Sequence, residues 1–404
     1  MRIDECRVHF LTYRYTDEER WSWSGGVAHG QAVCLVQVAT DAGVTGLGEI
    51  NLGPQAPEVV TAAVAALAPV IVGEEARNIQ RLWAKMYKGS IVWGRRGLAL
   101  GVIGGIETAL WDIAGKAADR PVFDLLGGRL HPTLRAYASG GVRHEPGVLE
   151  QELQSYVEQG FGAVKIRIGF GSMADNLDLA RRAREALGDD VDLMLDAGQG
   201  YVPRPWSVPE AIRAARALEA YDPFWLEEPY LTDEPDGYAQ VRAATSIPVA
   251  GGENGVSSWE FKELLERRSL DIVQPDVTVV GGILECRKVA TLAAAHSVPV
   301  ANHMWGSSVS LSANLHCLAA TPNALIAEYP CITNPLRDAL FIEPLRVEGG
   351  EITLPELPGL GVQLTDDLLR RFPADEGVHT QLLSGFGEQR QGERRAVEGR
   401  EGGR

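Results

Sequence analysis

Leu193-Met194-Leu195-Asp196, Phe224-Trp225-Leu226-Glu227 and Ile247-Pro248-Val249-Ala250-Gly251-Gly252-Glu253 are successive short apolar runs, each ending on a carboxylate. Three more follow: Ile272-Val273-Gln274-Pro275 before Asp276, Val298-Pro299-Val300-Ala301-Asn302 before His303, and Ala324-Leu325-Ile326-Ala327 before Glu328. The polar residues stand 31, 26, 23, 27 and 25 positions apart, which is room for one strand, one helix and two loops per step. Polar groups at the ends of successive strands are where a (β/α) barrel carries its active site. The spacing predicts such a barrel, and three carboxylates followed by a histidine suggest a metal and a base.

Outward from this ladder, Ala163-Val164-Lys165-Ile166-Arg167-Ile168 reads as an earlier strand and Leu177 to Leu187 as its helix. Further helices are expected near 209–219, 236–244, 258–267, 283–296 and 309–319. Residues 1 to about 60 alternate apolar and polar between Gly-rich turns, the pattern of an antiparallel meander. Inside it, the polar stretch from Tyr13 to Gly30, with Trp21 and Trp23, reads as a long mobile loop. From about 57 to 127 the periodicity is helical. The expected organisation is an α+β domain over 1–130, the barrel over 131–330 and a C-terminal segment over 331–385. Residues 386–404, dominated by Gly, Glu and Arg, read as a disordered tail.

Bulk properties agree with this division. At 404 residues the chain suits a barrel of roughly 200–250 residues plus a second domain. A net charge of −16 argues against sequence-independent nucleic-acid binding, which needs a basic surface. It does not forbid an anionic substrate, since a metal and a few cations can reverse the field inside one cleft. No apolar stretch reaches the ~18 residues that span a bilayer, so no membrane partner is expected. The amino terminus lacks the apolar core of a signal peptide, and five scattered cysteines form neither a zinc spacing nor a disulfide framework. A reducing cytoplasm is the simplest expected location.

The ladder motifs, with Gly105-Ile106-Glu107-Thr108-Ala109-Leu110-Trp111-Asp112-Ile113-Ala114-Gly115-Lys116 and Leu125-Leu126-Gly127-Gly128, resemble the enolase superfamily, mandelate racemase subgroup. The resemblance runs from residue 1 to about 372. It implies a modified TIM barrel, (β/α)₇β, beneath an α+β capping domain built from both chain ends, with one Mg²⁺ per subunit and assembly into homo-oligomers from dimer to octamer. Motif by motif it assigns the metal ligands to Asp196 in LMLDAG, Glu227 in LEEP and Glu253 in GGEN. Hard oxygen ligands without Cys or His favour Mg²⁺ over Zn²⁺. Glu228 reads as a structural partner rather than a ligand.

This constellation suits abstraction of the weakly acidic proton alpha to a carboxylate, with a divalent cation stabilising the enediolate. The candidate base is His303, oriented by Asp276, which would fix the tautomer and raise the basicity of the other ring nitrogen. Glu328 matches the family's last-strand acid, which must be protonated to donate to the substrate carboxylate. Lys165 and Arg167, two apart on a strand, are expected to point together into the barrel mouth. The family commonly has Lys-x-Lys here; Arg167 stays charged and is a poor base. One credible base favours dehydration of a sugar acid (an aldonate or aldarate) to a 2-keto-3-deoxy acid over racemisation or epimerisation of a 2-hydroxy or amino acid. A barrel that binds ligand without turnover is a remote third reading. The family's Asn two residues after the first ligand is Gly198 here, leaving Gln199 as a nearby contact. No Lys lies between Asp271 and Cys286, which weakens cycloisomerase readings that use opposed lysines. Specificity is expected from Trp21, Trp23, Trp305 and the segment Asn51 to Pro54, with Lys165 also placed to touch substrate.

Overall fold

The computed structural model describes residues 1–23 and 26–379; the side chain of Trp23 and the expected tail at 386–404 lie outside what it describes. The antiparallel strands Ile3–Arg14, Gly30–Thr40 and Thr45–Glu49 form the amino-terminal meander, with Phe10 opposite Cys34 and Val36 opposite Gly48. The stretch between the first two strands is not the irregular loop expected. Trp21–Trp23 and Gly26–Ala28 pair as a small hairpin with Trp21 opposite Ala28. Tryptophan and valine suit paired strands, and that propensity prevails over the polar composition around them.

Helices Pro57–Ile71, Ile79–Ser90 and Leu98–Ala118 cover the meander. Strand Thr45–Glu49 lies flush on the third helix because Gly46 and Gly48 present no side chain: a Cβ on either would collide with the carbonyl oxygen of Ala109 or Gly105. Helix Leu98–Ala118 is long and apolar enough to cross a membrane by length and composition, contrary to the sequence expectation, but 83% of that window is buried within the protein. Its two acids have specific partners. Asp112 accepts from the backbone N–H of Leu47 at 3.0 Å and of Leu360 at 2.8 Å, and pairs with Lys116 at 2.7 Å. Glu107 accepts from Trp111 Nε1 at 2.6 Å and from the N–H groups of Ile283 and Leu284 at 2.8 and 3.1 Å. Those last two open the helix Ile283–Ala295, so a carboxylate of one layer satisfies the exposed donors of a barrel helix.

The barrel is a parallel ring. Strands Leu134–Ser139, Ala163–Arg167, Asp192–Asp196, Trp225–Glu227, Val249–Gly251 and Ile272–Val273 pair in chain order, and Ala327–Pro330 returns to pair with the first. The seventh position, expected as a full strand over 298–302, is reduced to bridges from Val300 to Val273 and to Ala324. Pro299 within it has no N–H to donate. The helices after the second to seventh strands run Met173–Leu187, Val208–Leu218, Pro235–Ala243, Ser257–Glu266, Ile283–Ala295 and Ser308–Ala319, each close to its sequence-expected range. Tyr137, Ala163, Met194, Trp225, Ala250, Ile272, Ala301 and Ile326, one from each strand position, form a separate apolar cluster that plugs the ring. Side chains alternate along a strand, so the next inward residues are two positions on. They are Ser139, Lys165, Asp196, Glu227, Gly252, Gln274, His303 and Glu328. At Gly252 a φ of 110° bends the chain and passes the polar role to Glu253.

After the barrel, Arg346–Glu348 and Glu351–Thr353 form a hairpin whose second strand pairs antiparallel with Leu134 and Arg135. The chain then returns to the first strand of the meander: Thr12 N–H donates to Phe372 O at 3.3 Å, and Arg14 pairs with Asp375 at 2.7 Å. All five cysteines are free thiols.

Candidate active site

At the open end of the barrel, ligand oxygens of Asp196, Glu227 and Glu253 lie within 4.8 Å of one another, all three side chains buried. Each comes from a different strand end, and each has a partner that fixes it. Glu227 Oε1 accepts from Lys165 Nζ at 2.7 Å and its Oε2 from Trp225 Nε1 at 2.9 Å. Glu253 Oε1 accepts from the Tyr201 hydroxyl at 2.5 Å. Asp196 is in contact with Arg167 Nη1 and lies 3.8 Å from Lys165 Nζ.

Beside them, neither carboxylate oxygen of Glu228 makes a hydrogen bond, although the side chain is buried and its backbone holds a φ of 44°. Burial, then the charges of Glu253 and Glu227, push its pKa well above the usual carboxylate range. So much uncompensated negative charge in one buried cluster calls for a cation. The donor set, three hard carboxylates without thiolate or imidazole, fits Mg²⁺.

Lys165 and Arg167 diverge from expectation. Both leave the same strand face, but only Arg167 lines the cleft. Lys165 is fully buried behind the carboxylates, 2.7 Å from Glu227 and 3.0 Å from Glu328, so it holds the acids in place rather than standing in the mouth. Arg167 lies over the Trp305 ring at 5.2 Å, which fixes its guanidinium at the wall.

On the opposite side, His303 Nδ1 is 2.8 Å from Asp276 Oδ2. The other oxygen of Asp276 accepts from Thr278 N–H, the Thr278 hydroxyl and Asn314 Nδ2, at 2.8, 2.7 and 3.0 Å. An acceptor so saturated requires a proton on His303 Nδ1, so Nε2, facing the cleft 3.6 Å from Glu253 Oε2, is the nitrogen that can exchange a proton with a substrate. Burial alone would lower the pKa of His303; the charge of Glu253, the bond to Asp276 and the charge of Glu328 outweigh it and raise the value to about 9. Thr278 and Asn314 were not singled out from sequence. Asn314 had a signal, a lone amide in the apolar helix Ser308–Ala319.

Glu328 accepts from the Met304 N–H at 2.8 Å. Burial raises its pKa, but Lys165 and His303 pull it below the usual carboxylate range. The protonated donor expected of it is therefore not the form this environment favours. Gln199 is also corrected. Its amide donates to the carbonyls of Gly169 and Ala197 at 2.9 Å and accepts from Trp206 N–H at 2.8 Å, so it braces a loop and does not line the cleft.

The capping layer closes the cleft with Trp21, which meets Trp305 edge-on at 6.0 Å, and with Asn51, Leu52 and Pro54. Glu49, another residue missed from sequence, accepts from the Ser307 hydroxyl at 2.5 Å and from the N–H groups of Ser307 and Ser310 at 3.2 and 3.0 Å. It ties the cap to the start of the helix that follows His303.

Comparison with known proteins agrees with this geometry. Residues 14–127 match the mandelate racemase / muconate lactonizing enzyme N-terminal domain, and residues 148–368 the enolase C-terminal domain-like family. The D-galactarolactone cycloisomerase of Agrobacterium fabrum is 36% identical over 384 residues, spanning 92% of this chain and 99% of that one. The arabinonate dehydratase of Saccharolobus solfataricus is 34% identical over 375 residues, again 92% and 99%. A solved racemase from Streptomyces coelicolor with bound magnesium superposes with a TM-score of 0.82 at 30% identity, covering 92% of this chain and 99% of that one. A cycloisomerase and a dehydratase stand at nearly equal identity, so overall similarity does not separate those classes. The two domain matches together make the chain a member of the enolase superfamily, in the mandelate racemase / muconate lactonizing enzyme family.

Proposed function

We infer that the protein is a Mg²⁺-dependent acid-sugar dehydratase that removes the proton alpha to a carboxylate and expels the β-hydroxyl. The observation that carries this reading is the asymmetry of the cleft: a His303–Asp276 pair on one wall and Arg167, which cannot act as a base, on the other. Asp196, Glu227 and Glu253 would hold the cation. When bound, it supplies Lewis-acid stabilisation of the enediolate oxygens.

His303 Nε2 takes the alpha proton while Asp276 holds Nδ1–H. The imidazolium then returns that proton to the departing β-oxygen, which leaves as water as the carbon–carbon double bond of the enol forms. Ketonisation gives the 2-keto-3-deoxy acid. Lys165 keeps Glu227 and Glu328 fixed, and Arg167 offers its guanidinium to the substrate oxygens. Trp21 and Trp305 close the reacting end from water. Arabinonate dehydratase as a relative at 34% identity supports this class.

A second reading, cycloisomerisation of a sugar lactone, is favoured by the relative of that activity. It uses the same base, with a ring oxygen as leaving group. The family also implies homo-oligomers, and the exposed apolar residues Val92, Trp93 and Trp259 support an interface.

The test is a sugar-acid panel with Mg²⁺, scored for 2-keto acid and repeated in D₂O. Keto product supports dehydration. Deuterium uptake at the alpha carbon with substrate retained would overturn it in favour of epimerisation.

A further inference from the structure

The cleft between cap and barrel encloses about 330 Å³. Among the described residues, its charged lining groups are Glu49, Asp196, Glu253, Arg167 and His303. Both groups that can carry positive charge belong to the reactive end: Arg167 pairs with Asp196, and His303 with Asp276. Lys165 lies behind the carboxylates and does not line the space.

The rest of the described lining carries no positive charge. Trp21, Leu52 and Phe170 give apolar surface, while Gln31, Asn51 and Gln55 supply amides. Asn51 spends its Nδ2 on the carbonyl of Trp305 at 3.1 Å, and Gln31 its Nε2 on the Tyr15 hydroxyl at 2.6 Å. Each amide keeps its carbonyl oxygen as an acceptor and one further N–H, a neutral donor–acceptor pair that suits hydroxyl groups. The single charged group on the cap side, Glu49, has the sign of an acid.

We propose that the site selects monocarboxylic polyhydroxy acids with a neutral far end and discriminates against the matching dicarboxylates; this rests on the proposed orientation of the substrate carboxylate toward the metal ligands. A second carboxylate would leave water for an apolar, amide-lined wall that, among the described residues, holds no cation beyond those of the reactive end. An aldarolactone carries the aldarate skeleton with one acid masked as a neutral ester, and the site takes it as it takes an aldonate.

The test uses the His303→Asn protein with Mg²⁺, in which binding is measured by calorimetry without turnover. D-galactonate, D-gluconate and their aldarates and aldarolactones are compared. Aldonate and aldarolactone are expected to bind at least about tenfold more tightly than the matching aldarate. An aldarate that binds as tightly or more tightly overturns the inference. Gln55→Arg, which places a cation at the mouth, is expected to move the affinity ratio toward the aldarate; a ratio that stays put overturns the assignment of selectivity to this wall. Keto-acid formation by the unaltered protein is scored separately. Aldonate preference without keto acid sinks the reaction and keeps the selectivity, and binding of neither class to the folded, Mg²⁺-loaded protein overturns both.

Discussion

Replacing Asp276 with Asn removes one charge and reverses one hydrogen bond. Three donors, Thr278 N–H, the Thr278 hydroxyl and Asn314 Nδ2, converge on Oδ1 at 2.7–3.0 Å. The introduced amide therefore keeps its oxygen there and turns its NH₂ toward His303. The ring must then accept at Nδ1 and carry its proton on Nε2, the nitrogen that faces the cleft. An upper bound comes from the histidine itself: a rise from 6.5 to about 9 corresponds to about 3 kcal/mol of net preference for the imidazolium, shared among Glu253, Asp276 and Glu328 against the burial that opposes it. Asp276 is the nearest carboxylate, at 2.8 Å against 3.6 Å for Glu253. Loss of that support together with the wrong tautomer should lower kcat by about 10²–10⁴, or roughly 3–5 kcal/mol of barrier. Rates of keto-acid formation and of alpha-proton exchange in D₂O should fall together. Mg²⁺ affinity, followed by calorimetry, should be nearly unchanged, because Asp276 is not one of the three clustered carboxylates. A variant that keeps kcat within about threefold, with an unshifted pH profile, would refute the tautomer argument.

Four other outcomes follow from the geometry. Mg²⁺ at a hundred times its dissociation constant should stabilise the fold by about 2.7 kcal/mol and chelation should reverse this; no rise in Tm on adding Mg²⁺ would dismiss the carboxylate cluster as its site. His316 is buried, accepts from Phe123 N–H at Nδ1, and has its pKa lowered by burial from 6.5 to about 3. Stability it confers is full above pH 6.5 and lost as pH falls toward 3, by roughly 4–5 kcal/mol at the limit; acid unfolding of His316→Asn should be flatter across that window though weaker at pH 7, and an identical slope would discount it. Gly48→Ala drives a methyl into the Gly105 carbonyl and should cost about 3 kcal/mol or more, read as a drop in Tm. Arg167→Lys puts a titratable amine on the wall facing His303; it should bring epimerisation at the alpha carbon, detectable by NMR, while epimerisation already present in the unaltered enzyme would contradict the one-base reading.

Much of the barrel was legible because its information is local. Each strand end is marked by an apolar run and a polar stop, and side-chain alternation carries the residue after next into the mouth. Asp196, Glu227, His303 and Glu328 each stand two places beyond a member of the central plug. What sequence could not supply was the partner of each charge. Lys165 and Arg167 share a face by periodicity, yet one is sealed among carboxylates and the other reaches the cleft, a distinction set by acids 31 to 163 positions away in the chain. Gln199 stood next to the site in sequence, but backbone groups of two neighbouring loops claimed its amide. Glu49 was hidden for the opposite reason: its partners, Ser307 and Ser310, lie about 260 residues downstream.

Among the described residues, Asp196, Glu227 and Glu328 face Lys165 and Arg167 while Glu253 faces His303, so four carboxylates meet two permanent cations and one histidine. The balance is negative, and a divalent cation offsets it. Without the cation the mouth repels an acid anion; with it held by the carboxylates, that repulsion would be relieved and Arg167 could turn from Asp196 to the substrate. Addition in a compulsory order follows, metal ahead of substrate, and kinetics at limiting Mg²⁺ should show it as a lag that substrate in excess cannot shorten.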